Sequence, residues 1–395
     1  LCQTLSEAYS GAFVAWFVER KNEEFPYRAS AEPRFAHHYL SEVGYGKLFK
    51  ELKADPEAVV ILGGWSSPMT NKTLLMTTLL RIPVFIWADH PHPRKRSWLL
   101  AHTRSLYLRL LARLVSGFLA CGRPTVEHLA SLGIKRGKIT NFPYWVELPA
   151  TWSIPKRCLD EESSQRPLRL LTIGRLVPVK QFEVAIEALA LANRAADRPV
   201  AELIILGEGS ERDKLQALTI SLGCEETVSF LGWLEIAGVY KELWEADALV
   251  ITSKLEPFGV VVLEAMAAGR PVLASAGVVA ALDRDDGSGA IMLHQIGDAA
   301  SLAKQITLLA TDRHLLQRAS INARDIAEKW PPARAVTVLE EALGSTECGR
   351  TFMKHREGVG SKTQLAAKRV GPTHESIKPR VAAADGSVQF EAKRT

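Results

Sequence analysis

The 395-residue sequence has no C-x-x-C pair: Cys2, Cys121, Cys158, Cys224 and Cys348 stand singly. Scattered thiols offer neither a zinc site nor a disulfide framework, and they fit a reducing, cytoplasmic setting. No apolar run approaches the ~18 residues that cross a bilayer. Residues 1–20 lack the basic start and apolar stretch of a secretory leader. Net charge is also scarce. Of 49 basic and 44 acidic residues, ten basic and five acidic fall in 346–395, so the +5 belongs to that tail and the remainder balances. A neutral body has no basic face to neutralise phosphates, which argues against a nucleic-acid partner.

What is present is a globular composition, 47% hydrophobic and 24% charged, in a chain too long for one core. Gly11–Phe17, Ala58–Leu62, Pro83–Ala88 and Phe118–Cys121 read as strands, with a helix over Asn71–Leu80. Residues 97–115 read as an amphipathic helix with a stripe of Leu99, Leu106, Leu110 and Leu114. Continuous apolar strands alternating with helices indicate a parallel sheet covered on both faces. The pattern breaks at 151–167, where Pro155, Pro167 and the polar run Asp160–Gln165 predict a linker after a first domain at 1–150.

Alternation resumes over 168–330, with strands Leu168–Ile173, Glu202–Leu206, Val228–Leu231, Ala248–Thr252 and Pro271–Ala274. The intervening helices make this a second doubly wound sheet. Residues 331–345 hold a separate final helix, and the tail 346–395 lacks a core-forming pattern, which predicts disorder. The chain opens at Leu1 inside a helical pattern, so the expectation is that an initial strand is missing from the first domain. Two such domains place the carboxyl ends of their strands on a shared cleft.

Three segments carry candidate chemistry. Gly174-Arg175-Leu176-Val177-Pro178-Val179-Lys180 follows a strand, where Arg175 and Lys180 suit a diphosphate or are simply two solvated cations on a turn. Gly207-Glu208-Gly209-Ser210 ends the next strand. A lone G-x-G is equally a tight turn, and with Arg212 breaking G-x-G-x-x-G it does not make a dinucleotide fingerprint. In Glu256-Pro257-Phe258-Gly259-Val260, the start of a helix presents free N–H groups to an anion. Glu264, inside the apolar run VVVLEAMAA, is either an ordinary helix glutamate or a carboxylate awaiting a diol, because a half-buried charge without a partner is costly.

In order, G-R-L-x-x-x-K, L-G-E-G, F-L-G-W, A-D-A-L-V-I-T-S and E-P-F-G-x-x-x-L-E-A-M-A-A-G-x-P-V span about 160 residues. This running order resembles the donor domain of family 4 glycosyltransferases, retaining enzymes with two Rossmann-like domains facing a cleft, the GT-B fold. The resemblance implies that Arg175 and Lys180 hold the donor diphosphate and Glu256 touches the transferred sugar. It also implies that Gly174, Gly207, Gly209, Phe258, Gly259 and Val260 shape the donor site, with Glu264 on the ribose hydroxyls. Such enzymes usually need no metal or other cofactor. Val278 and Ala281 depart from the glycine and glutamate that the family commonly shows there.

The first half resembles the family less sharply. In Ala88-Asp89-His90-Pro91-His92-Pro93, Asp89 and His90 are the candidates, within one residue of register, for the place where the family often carries a histidine facing the donor sugar, a proline-rich turn with incidental histidines being the alternative. Arg94, Lys95 and Arg96 ahead of the amphipathic helix suit anionic lipid or a solvated flank. The sequence thus predicts a cytoplasmic enzyme, peripheral at most at the inner membrane face. It would move a sugar from a UDP- or GDP-sugar to a glycan or lipid-linked acceptor in cell-envelope polysaccharide or glycoconjugate biosynthesis. The rival readings are a nucleotide-sugar-binding subunit without turnover and a nucleotide-sugar epimerase.

Overall fold

The computed structural model describes residues 2–9, 12–18, 33–55, 57–65, 67–91, 98–146, 166–196 and 198–344. The core of the linker, the cluster Arg94–Arg96 and the tail 346–395 lie outside them. So does the question of a strand before Leu1.

The first part of the chain runs α1 (Cys2–Ala8), β1 (Ala15–Phe17), β2 (His37–Tyr39), α2 (Leu40–Ala54), β3 (Val60–Gly63) and α3 (Pro68–Leu80). It continues with β4 (Val84–Ala88), α4 (Trp98–Leu114), β5 (Gly117–Ala120), α5 (Arg123–Ser131) and β6 (Ile139–Asn141). Strands β3-β4-β5-β6 form a parallel sheet in sequence order. One face, with Leu62, Val84, Ile86 and Phe118, packs on Leu74 of α3 and Leu108, Leu111 and Val115 at α4. The other, with Phe85 and Leu119, packs on Leu5 of α1 and on the last helix of the chain. The apolar runs are continuous because both faces are covered.

The second part runs β7 (Leu168–Ile173), α6 (Phe182–Arg194), β8 (Ala201–Leu206), α7 (Arg212–Leu222), β9 (Val228–Gly232), α8 (Ile236–Glu245) and β10 (Ala248–Ile251). Then come α9 (Val260–Ala267), β11 (Val272–Ser275), α10 (Val279–Arg284), β12 (Ile291–His294), α11 (Ala299–Thr311), α12 (Arg313–Glu328) and α13 (Arg334–Gly344). Its six parallel strands are ordered β12-β11-β10-β7-β8-β9. The chain therefore winds one way from β7 to β9 and the other way from β10 to β12. The order reverses between β7 and β10, and crevices at such reversals are where ligands of these sheets bind. After α12 the chain crosses back, and Ala335, Leu339 and Leu343 of α13 close the core of the first sheet.

Two expectations are corrected. Of the expected strand Gly11–Phe17, the described residues from 12 on are strand only over Ala15–Phe17, which pairs in parallel with His37–Tyr39 in a separate two-stranded sheet. On α4, Leu106, Leu110 and Leu114 are 60%, 47% and 58% exposed, while Leu108 and Leu111 are buried; Leu99 is outside the side chains described. The helix is apolar on most of its circumference, so spacing alone did not distinguish its inner stripe from its outer one.

Candidate functional site

At the reversal between β7 and β10, two loops are tied backbone to side chain. The Thr252 hydroxyl donates to the carbonyls of Lys180 (3.0 Å) and Gln181 (2.7 Å), and the Lys254 amide donates to Val179 O (2.8 Å). Gln181 adopts a left-handed conformation at φ 50° to start α6, which turns Lys180 back toward β10. The result is an ion pair between Lys180 Nζ and Glu256 Oε2, both side chains half-buried. Arg175 lies exposed on the same β7 loop. A cation and a carboxylate side by side at a switch point can share a ligand that carries both a phosphate and hydroxyls.

Glu256 is fixed from below. Its amide donates to Gly277 O (2.9 Å), and the Ala280 amide donates to Phe258 O (2.7 Å). Gly259, at φ 95°, caps α9 in a conformation that other residues adopt only with strain. In the first turn of α9 the Val262 amide donates to Gly259 O (3.0 Å), while helix geometry leaves the Val260 and Val261 amides without an intrahelical acceptor. One turn further along α9, Glu264 is partly buried, and burial raises its carboxyl pKa above the ordinary value. Among the described residues its carboxylate has no hydrogen bond or ion pair. The Tyr240 hydroxyl is held up by burial first and by the Glu264 charge second, so the two side chains are neighbours.

The G-x-G glycines have a packing role. A Cβ at Gly207 would lie 1.9 Å from Gly174 O, and one at Gly209 would lie 2.3 Å from Leu176 O. The loops after β7 and β8 touch main chain to main chain, Gly207 against Gly174 and Gly209 against Leu176.

His90 stands at the carboxyl end of the first sheet. Its ring meets His128 of α5 edge-on, 5.4 Å between centroids, and burial lowers its pKa. His128 is pushed down to about 4 by burial, with His90 and Arg104 adding to the effect. Both imidazoles are therefore neutral near pH 7. Beside them opens a cleft of about 1010 Å³ whose walls, including Trp65, Asp89, His90, Arg104 and Tyr107, all belong to the first domain. Lys180 and Glu256 are not among them. The cleft and the ion pair are linked through Tyr144, whose hydroxyl donates to Asp89 (3.2 Å) and whose ring lies 4.9 Å from Trp87 and 5.2 Å from Phe258. His92 lies outside the described residues.

Sequence reasoning missed Tyr144, Thr252 and His128. Thr252 stands next to last in the family-like run A-D-A-L-V-I-T-S, and its place at a strand end before a loop was the available signal. Tyr144 and His128 belong to no recognisable motif.

The comparisons with known proteins point the same way. Residues 160–326 match the family model described as Glycosyl transferases group 1. Over 203 residues the chain is 32% identical to the lipopolysaccharide core biosynthesis glycosyltransferase LpsE of Rhizobium meliloti (strain 1021), covering 51% of this chain and 56% of that one. It thus spans about half the length of that curated relative. The crystal structure of Anabaena Alr3699/HepE in complex with UDP superposes with a TM-score of 0.68 at 19% identity, covering 87% of this chain and 95% of that one. The apo lipopolysaccharide outer core galactosyltransferase WaaB gives 0.60 at 18% identity, covering 84% and 89%. Likeness at this identity establishes the fold, two α/β domains with parallel sheets in the GT-B arrangement, although only the second sheet reverses its strand order as a doubly wound one does.

Proposed function

We propose that the chain is a retaining glycosyltransferase of family 4 that transfers a sugar from a UDP- or GDP-sugar to a hydroxyl of a glycan or lipid-linked acceptor. The setting would be cell-envelope glycoconjugate assembly on the cytoplasmic side. The observation that carries this reading is the Lys180–Glu256 pair at the β7/β10 switch point, beside the amino end of α9. The group 1 match over the same residues supports it, as do relatives named for lipopolysaccharide core biosynthesis. A structural neighbour solved with UDP supports the class of donor.

In this reading Arg175, Lys180 and the first amides of α9 neutralise the leaving diphosphate, as preorganised donors do for developing charge. With that charge met by protein groups, a divalent ion is not required. Glu256 orients the hydroxyls of the transferred sugar, and Glu264 accepts from the ribose diol. His90, neutral, lies at the entrance from the first-domain cleft and contacts the sugar on the acceptor side. The departing diphosphate takes the proton of the acceptor hydroxyl as it attacks the same face, so no side-chain nucleophile is needed.

The test is a panel of UDP- and GDP-sugars, scored by rise in melting temperature and then by nucleoside diphosphate release with and without envelope glycan acceptors. Acceptor-dependent release supports transfer. Tight binding without release on any acceptor supports the non-catalytic subunit instead.

A further inference from the structure

Helix α5 belongs to the first domain and α10 to the second, and each caps one end of the other. The first turn of α5 cannot satisfy itself. Gly122, at φ 87°, stands before it with no side chain to cap it, and Pro124 has no N–H. The Thr125 and Val126 amides donate to Gly122 O (3.0 and 3.2 Å), which leaves the Arg123 amide as the donor without an acceptor in its own helix. That amide donates to Asp283 Oδ1 of α10 at 2.6 Å. In return the Arg123 guanidinium donates from Nη2 to the carbonyls of Leu282 (2.9 Å), Asp283 (2.6 Å) and Asp285 (3.2 Å) at the carboxyl end of α10. An anion thus sits at the amino end of one helix and a cation at the carboxyl end of the other, the sign that each helix dipole favours.

The junction is buried and close. The Asp283 side chain is 1% exposed, and it also accepts from Asn141 Nδ2 at the end of β6 (3.2 Å) and pairs with the neighbouring Arg284. A Cβ at Gly122 would lie 2.9 Å from Val279 Cγ1, so the two domains meet here closer than a side chain at that position allows. Cys121, the residue before, lies in one apolar cluster with Val279 and Ala280 of the second domain. Each side of the junction leads to a candidate site residue. Toward the donor crevice, the Val279 and Ala280 amides donate to Glu256 O (3.3 Å) and Phe258 O (2.7 Å), so α10 backs the Glu256–Gly259 loop. Toward the first-domain cleft, α5 carries His128, whose ring meets that of His90.

We infer that Arg123 and Asp283 are positioning residues, whose reciprocal caps fix α5 on α10 and so hold His90 in register with Glu256 across the two domains. Apolar contact alone would let two helices slide, whereas the four hydrogen bonds of Arg123 have fixed directions and admit one register. Neither residue lines the first-domain cleft, so the pair acts through the groups it places. Its part in sugar transfer rests on the proposed transferase reading; the junction itself does not.

The test uses the full chain in three variants, Arg123→Ala, Asp283→Asn and Asp283→Ala. The Arg123 side chain is 58% exposed, so Arg123→Ala should fold with a melting temperature close to the parent's even if Asp283→Ala does not fold. In hydrogen exchange without ligand, residues 123–131 and 279–285 should both exchange about tenfold or more faster in Arg123→Ala, while β4, β7 and β8 stay protected. Histidine side-chain NMR should show the His90 and His128 signals displaced and the His294 signal, from β12, in place. A mere loss of stability would displace none of these native signals. Asp283→Asn keeps an oxygen for the Arg123 amide and should show both effects more weakly than Asp283→Ala. With a sugar nucleotide and acceptor that support release, Arg123→Ala should lower kcat about tenfold or more and leave the donor KM within about twofold. Faster exchange confined to 279–285 would mean that Arg123 caps α10 alone, and unmoved His90 signals would mean that α5 positions nothing there; either result overturns the proposal. A raised donor KM at unchanged kcat overturns it as well. A parent that releases no nucleoside diphosphate on any acceptor counts against the transferase reading alone, and exchange and NMR still decide the junction.

Discussion

Lys180 and Glu256, 76 residues apart, form an ion pair across the mouth of the second sheet. Each is the charged partner of the other. In the proposed reading a donor diphosphate draws Lys180 away or bridges the pair, and the sugar takes over Glu256. Lys180→Ala should weaken nucleoside diphosphate binding by about 1.5–3 kcal/mol, the range of a charge-assisted hydrogen bond, and leave the free nucleoside nearly unaffected. Glu256→Gln should instead spare nucleoside diphosphate affinity and lower sugar transfer. Calorimetry with nucleoside, nucleoside diphosphate and sugar nucleotide separates these outcomes. Equal losses for nucleoside and diphosphate would move Lys180 off the phosphates.

Much of the second domain could be read from the sequence, and in the first β3, β4, β5, α3 and α4 fall where the apolar runs predict, whereas α2, α5, β2 and β6 do not show in it. Strand β7 falls at Leu168–Ile173 and helix α8 at Ile236–Glu245, as the alternation predicts. Each has a dense apolar pattern, and glycines mark the turns. By contrast β2 and β6 are three residues long, too short for any period to register. The pairing of Lys180 with Glu256 depends on a reversal of strand order, which sequence does not encode locally. The outward leucines of α4 were misread because a helix with Leu106, Leu108, Leu110, Leu111 and Leu114 shows apolar spacing in two directions.

The G-x-G segment separates packing from ligand recognition. Because a Cβ at Gly207 would strike Gly174 O, Gly207→Ala forces the β7 and β8 loops apart. It should cost about 1–3 kcal/mol of stability or more, as overpacking does, measured by urea denaturation without ligand. Unchanged stability with lost donor affinity would return Gly207 to a purely ligand-facing role.

His128 supplies a pH signature. Burial, helped by His90 and Arg104, holds its pKa at about 4 against an ordinary 6.5. The folded state thus binds fewer protons than the unfolded state between those values, so stability is full above about pH 6.5 and falls as pH drops toward 4. His128→Asn should flatten this part of the profile in a melting-temperature series. A profile that keeps its slope in the variant would place the sensitive group elsewhere, with the similarly lowered His90 next in line.

Glu264 should show opposite effects on stability and on binding. Its carboxyl is raised by burial, so the folded state holds a proton above the pH at which the unfolded chain releases it. Stability is therefore lost as pH rises through that window, and at neutral pH the charged group is a burden on the ligand-free fold. Glu264→Gln removes the charge and keeps the shape, so it should raise the melting temperature near pH 7 and leave it unchanged at a pH low enough to protonate the native glutamate. If the carboxylate accepts from the ribose diol, the same substitution should weaken donor binding by about 1–3 kcal/mol. A 2′-deoxy donor should already have lost much of that with the parent protein. Combining the two should then cost clearly less than the separate losses added, because coupled partners are not additive. Strict additivity in calorimetry, together with the gain in stability, would leave Glu264 as a strained helix residue and would assign the ribose to another side chain.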